Sequence, residues 1–127
     1  APVDEKSAVD VVPAAKEPLK PEIDIDTFGK TDLRVGIVLA CEKVPKTSKL
    51  LKLQIDLGTE QRQIVSGIAK YYKPEDMVGK HVIVVTNLKP ATLCGVESYG
   101  MLLAASDGND NLQVIFADSM AAGSRVR

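Results

Sequence analysis

The chain has 127 residues, 45% of them hydrophobic and 26% charged, with a formal net charge of −1. That suits one compact domain plus a tail, with enough apolar side chains for a real core. Only 4% of residues are aromatic and none is Trp, so large stacking platforms are scarce, while Cys41 and Cys94 have no ligand-spaced partners and argue against a zinc site. Reduced thiols are favoured over a disulfide, no charged-then-apolar leader opens the chain, and no apolar run reaches membrane-spanning length, so a cytoplasmic protein is expected.

The small net charge conceals an asymmetry. Residues 1–26 carry seven acids against three bases, a net of −4, which leaves +3 on the remainder from 13 bases and ten acids. A local basic surface is therefore compatible with a sequence pI of about 5.8. Residues 1–22 hold Pro2, Pro13, Pro18 and Pro21 and no sustained period, so they cannot bury enough surface to offset their ordering entropy. Residues 1–25 are expected to form a flexible, acidic, Pro-containing linker, and residues 26–127 the folded domain. The start at Ala1, without an initiator Met, suggests a fragment or processed chain with a folded body upstream.

A helical turn is expected near Asp26, capped by Asp26 or Thr27. From Thr31 the period is two, because Leu33, Val35, Ile37 and Leu39 alternate with Arg34, Gly36, Val38 and Ala40. This predicts a long first strand with a bend or bulge at Gly36. After the break at Val44-Pro45-Lys46-Thr47-Ser48-Lys49, the residues Leu51, Leu53, Ile55 and Leu57 alternate with Lys52, Gln54 and Asp56 to give a half-buried second strand. Gly58-Thr59 turns the chain into a third strand, Gln61-Arg62-Gln63-Ile64-Val65-Ser66, forming a hairpin. Pro74-Glu75-Asp76-Met77 predicts a one-turn helix before a fourth strand, His81-Val82-Ile83-Val84-Val85-Thr86. Met101-Leu102-Leu103-Ala104-Ala105 and Leu112-Gln113-Val114-Ile115-Phe116, separated by Asp107-Gly108-Asn109, supply two more. The class is all-β, and the pattern fits a five-stranded Greek-key barrel of the oligonucleotide/oligosaccharide-binding (OB) type, with short helical connectors and a C-terminal strand or loop extension. Strand count alone also allows another small Greek-key barrel.

Between the fourth strand and Met101 lies a stretch too rich for a simple turn. It offers the Lys89 cation, the Ser98 hydroxyl and the Asn87 amide, with Gly95 and Gly100 permitting backbone conformations or close approaches that a side chain would block. A loop of this kind on a rigid sheet is a natural binding element, although an isolated Ser-x-Gly-Met is more often an ordinary connection. Other chemistries fare worse. His81 has no ligand-spaced neighbours, and with a single His no serine or cysteine triad can be built. The glycines form no phosphate-cradling loop before a helix, and Tyr71-Tyr72 reads as local packing rather than a stacking pair. The run of Lys43, Lys46, Lys49 and Lys52 is either a solvated face or a phosphate track. No catalytic site is expected.

Five stretches occur in order: Asp32-Leu33-Arg34-Val35-Gly36, Ser48-Lys49-Leu50-Leu51-Lys52-Leu53, Ile64-Val65-Ser66-Gly67-Ile68, Asn87-Leu88-Lys89-Pro90 and Gly95-Val96-Glu97-Ser98-Tyr99-Gly100-Met101. Together they closely resemble the tRNA-binding domain that forms the C-terminal extension of many bacterial methionyl-tRNA synthetases. The same domain occurs in free-standing tRNA-binding proteins and in the endothelial monocyte-activating polypeptide II family. The resemblance spans about residues 26–127, and Gly123-Ser124-Arg125-Val126-Arg127 looks like the family's closing segment. It implies tRNA binding without sequence specificity, by shape and backbone, through Ser98, Gly100, Met101 and Lys89, with Lys49, Arg34 and Asn87 as further candidates. Where relatives often carry a basic residue, Thr92-Leu93-Cys94 has none.

The resemblance also implies a homodimer, attachment to an upstream synthetase body, and a role in raising that enzyme's tRNA affinity. No cofactor is expected on these residues: ATP, methionine and any zinc would belong to the synthetase body. Neither a membrane nor DNA is an expected partner. A second reading is a protein-interaction module, because the same domain resembles a small bacterial secretion chaperone that binds extended peptides and a cytokine-like animal fragment.

Overall fold

The computed structural model describes residues 18–107 and 110–127. Residues 1–17, most of the expected linker, lie outside the described residues. The first element is α1 (Ile25–Phe28), a single turn whose N-cap is Asp24, not Asp26 or Thr27. The Asp24 carboxylate accepts from the Thr27 amide at 2.8 Å, which satisfies one of the N–H groups the turn leaves unpaired.

The alternating segments form the strands they predict. They are β1 (Leu33–Lys43), β2 (Leu51–Asp56), β3 (Gln61–Ser66) and β4 (His81–Val85), with α2 (Pro74–Met77) between the last two. In β2 the odd positions Leu51, Leu53 and Ile55 are fully buried while Lys52, Gln54 and Asp56 stay half-exposed. This is what a period of two produces on a sheet with one wet face. Each such Leu or Ile contributes roughly 1.5–3 kcal/mol by leaving water. Val82, Ile83, Val84 and Val85 in β4 are all buried, so this strand is covered on both faces. Met77 of α2 is fully buried within the same core cluster.

Downstream lie β5 (Ala91–Leu93), β6 (Val96–Ser98), β7 (Met101–Leu102), β8 (Ala104–Ser106), β9 (Leu112–Val114) and β10 (Arg125–Val126). The main sheet is antiparallel in the order β3-β2-β1-β4-β7, with β10 also on β1. Its outer edges meet where the Tyr99 amide donates to the Gln63 carbonyl at 2.9 Å. The sheet thereby closes almost completely into an OB-type barrel.

Three local expectations need correction. The register irregularity in β1 lies between Val38 and Ala40, not at Gly36, which pairs regularly with Val82. Gly36 is required for packing instead, because a Cβ there would sit 2.4 Å from Ile55 Cγ2. The run 101–105 is not one strand: Leu103 donates to the Ile83 carbonyl and accepts from the Ile115 amide, carrying the chain from the barrel to a separate β8–β9 hairpin. The stretch 87–101 contains a hairpin of its own, β5–β6, that alternation over three residues was too short to announce. In the C-terminal extension Val114 is buried, and Leu112 and Phe116 pack on the barrel core, whereas Ile115 and Met120 remain exposed. Among the described residues no helix is long and apolar enough to cross a membrane.

Candidate nucleic-acid interface

The β4–β5 connection is fastened at its base to the entry of β1. Asn87 accepts from the Asp32 amide at 2.9 Å and donates to the Lys30 carbonyl at 2.6 Å. Thr86 does the same work from the adjacent position, its hydroxyl donating to the Asp32 carboxylate at 2.7 Å. That carboxylate also accepts from Arg34 Nε at 2.8 Å. The Arg34 bond first, and the Thr86 bond second, hold Asp32 below the usual carboxylate range.

Beyond this anchor Lys89 is exposed and, among the described residues, carries no ion pair. The chain then runs out along β5 and back along β6 with Thr92 opposite Glu97. The two-residue link between them, Cys94 at φ 50° and Gly95 at φ 81°, gives successive left-handed residues. That is the turn whose twist matches an antiparallel pair. At the return Ser98 is only 3% exposed. Its hydroxyl accepts from the Val65 amide at 2.9 Å and donates to the Gly100 carbonyl at 2.9 Å. A side chain here replaces a missing rung of the ladder between β3 and β7. Gly100 must be small, since a Cβ would lie 3.1 Å from the Val85 carbonyl oxygen and 3.2 Å from Ile64 Cδ1. Met101 pairs with Val85 and is 47% exposed, so it is a surface residue and not part of the core.

The seven expected residues therefore divide. Lys89 and Met101 point their chemistry outward on one loop, and Lys49 is exposed on the separate connector between β1 and β2. Ser98 and Gly100 face inward and, with the exposed Asn87, hold that loop in place; the single Ser98 hydroxyl proton is already donated to Gly100. Arg34 is half-exposed, bonded to Asp32 and, at 3.4 Å, to the Gly123 carbonyl. Of the lysine run, Lys52 is tied to Glu42 at 3.3 Å. Tyr72 meets Phe116 edge-on and accepts from the Val114 amide, which is local packing as expected. His81 hydrogen-bonds through its ring Nδ1 to the Met120 carbonyl.

Sequence reasoning missed Arg62. Its Nη1 donates to the Thr86 carbonyl at 2.5 Å and to the Tyr99 carbonyl at 3.1 Å, while Nε pairs with Glu60 at 2.5 Å. One guanidinium thus clamps the end of β4 to the Ser98–Met101 turn across β3. The only available signal was an Arg within an otherwise uncharged third strand, and nothing in the alternation shows what that strand's free edge will meet.

A family model described as "Putative tRNA binding domain" matches residues 33–125. The chain belongs to this family. Methionine–tRNA ligase of Methanocaldococcus jannaschii is 60% identical over 107 residues, covering 84% of this chain and 16% of the ligase. That of Clostridium perfringens is 54% identical over 122 residues, 92% of this chain and 19% of the ligase. The chain thus spans less than a fifth of these relatives. Among solved structures, a MetRS related protein from Pyrococcus horikoshii superposes with a TM-score of 0.82 at 41% identity, over 85% of this chain and all of that one. The chaperone CsaA from Bacillus anthracis gives 0.76 at 25% identity, over 84% of this chain and all of that one. The domain is a tRNA-binding module homologous to part of the methionyl-tRNA synthetases.

Proposed function

We propose that the module belongs to a cytoplasmic methionine–tRNA ligase, and that it raises the parent enzyme's tRNA affinity by gripping phosphates without reading sequence. The observation that carries this is the contrast between the exposed Lys89 and the bonds that fix its loop to β1, β3 and β4. Phosphate recognition by shape needs a long cation on a rigid support. Lys89 is the leading contact, Arg34 and, on its separate connector, Lys49 are further ones, and Met101 covers sugar or backbone. Ser98, Gly100 and Asn87 shape the surface. Identities of 54–60% to the ligases, against 25% to the chaperone, favour this reading over peptide binding. ATP and methionine would be handled by the ligase body.

The same module pairs with a second copy of itself in this reading. None of the α1 residues is buried, and Ile25, Ile115 and Met120 leave apolar surface uncovered, which a two-fold interface would bury. Two copies would double a basic surface that is weak in one. Sedimentation equilibrium at tens of micromolar tests this, and a monomer mass would sink it.

Titration with bulk tRNA tests the binding itself. With about four phosphates neutralised, affinity should fall roughly a hundredfold between about 50 and 200 mM salt. A flat response would overturn the reading.

A further inference from the structure

An open groove of about 520 Å³ lies between the start of β3 and the segment that follows β4, lined among others by Gln61, Arg62, Gln63, Leu88, Pro90 and Tyr99. Its two sides are fixed to each other. Arg62 donates from one nitrogen to carbonyls on both, Thr86 below Leu88 and Pro90, and Tyr99 opposite. Glu60 also borders the groove, but its carboxylate is paired with Arg62. Tyr99 is held from both ends, its amide donating to Gln63 and its hydroxyl to Glu97 at 2.8 Å, yet 39% of it remains exposed. Leu88 is 46% exposed. The Gln61 amide makes no hydrogen bond among the described residues, whereas the Gln63 amide is engaged with Glu97.

From these features we infer that the groove takes one unpaired nucleobase of the bound RNA, stacked on Tyr99 against Leu88 and Pro90, with its edge met by the Gln61 amide. Every base has a flat face, so an aromatic ring beside an apolar wall captures bases without choosing among them. A primary amide both donates and accepts, which suits any base edge. Lys89, between Leu88 and Pro90 in the chain, supplies the cation for the phosphate that such a nucleotide carries. The inference rests on the tRNA-binding reading and narrows it: a backbone-only grip would gain nothing from an unpaired base, whereas this groove gives the module a preference for exposed bases. An extended peptide could also occupy an open groove, but the free Gln61 amide and the adjacent cation favour a nucleotide.

The test uses the 127-residue chain and three probes: bulk tRNA, an oligouridylate and a duplex RNA of equal length. With no Trp, tyrosine emission reports directly on the three tyrosines. Stacking should quench it on titration with oligouridylate. Tyr99→Leu should abolish most of that quench and weaken oligouridylate and tRNA binding about tenfold while leaving duplex binding unchanged. Tyr99→Phe should bind like the parent, and Leu88→Ser on the opposite wall should reproduce a milder form of the Leu effect with a normal melting curve. If Tyr99→Leu and Leu88→Ser leave oligouridylate affinity intact while Lys89→Ala weakens all three RNAs, the groove holds no base and the phosphate reading survives alone. Absence of binding to any of the RNAs by the parent chain would overturn both. Saturable quenching by an unstructured proline-containing peptide, stronger than by RNA, would assign the groove to peptides.

Discussion

Ser98 and Lys89 sit nine residues apart in one loop and do opposite things. Ser98 is buried with its hydroxyl committed to Val65 and Gly100, so it belongs to the barrel wall although it lies in the motif that the resemblance singles out. Lys89 lies on the same loop, exposed and without an ion pair among the described residues, and belongs to the surface. A short motif can thus combine residues that hold a shape with residues that use it. Loss of function on mutation would look alike for both unless stability is measured beside binding.

The largest expected effect is on the wall. Ser98→Ala strands the buried Val65 amide, which should cost about 1–3 kcal/mol of stability. For a domain of about 100 residues that lowers the melting temperature by roughly 4–8 °C per kcal/mol. Thermal unfolding followed by circular dichroism would read it, and an unchanged melt would remove Ser98 from the barrel seam. Lys89→Ala comes next: tRNA binding should weaken by about 1 kcal/mol, uniformly across tRNA species, and the salt slope should drop by about one. Its melting curve should match the parent. If Lys89→Ala destabilises and Ser98→Ala does not, the division drawn here is inverted.

A smaller effect is expected in acid. Arg34 and Thr86 lower the folded value of Asp32 beneath its ordinary 3.8, so its contribution to stability is complete above about that pH and is lost as pH falls through the lowered value. Asp32→Asn should therefore lower stability at neutrality and flatten the acid limb of a stability-versus-pH curve, so that the two proteins converge below about pH 4. An identical acid limb in both proteins would mean that Asp32 does not fasten the loop. The smallest effect separates the thiols. Burial, then the Glu42 charge, pushes Cys41 up to about 11, whereas Cys94 is exposed at the hairpin tip. Maleimide labelling near pH 8 should add one group quickly and the second only on unfolding, because the thiolate is the reacting species. Two fast equivalents would show that the β1 wall opens at Cys41.

The barrel was legible where side chains repeat. Leu51, Leu53 and Ile55 against Lys52, Gln54 and Asp56 announce a strand and its wet face, and Pro74 announces a helix start. Where a residue's role depends on what meets it across the fold, the chain order is silent. Asn87 reads as a free amide until Lys30 and Asp32 are seen beside it, and Arg62 reads as a surface charge until Thr86 and Tyr99 close around it. Gly36 shows the same limit in the core. Its smallness is visible in the sequence, but Ile55, nineteen positions away, is what makes smallness necessary. The resemblance singled out the loop, yet it could not say which of its residues face inward.

The last strand of the chain pairs with the first. Leu33 lies opposite Val126 and Arg34 opposite Arg125, and α1 borders the same cleft as residues 125–127. The polypeptide therefore enters and leaves the barrel at one spot. During synthesis β1 must wait for some ninety further residues before this part of its edge is covered, a long-range closure that slows folding relative to hairpin pairing. Once closed, the barrel has its entry and its exit side by side. Such a unit can be spliced onto different host chains without stretching either, since neither strand end has to cross the barrel to reach its host.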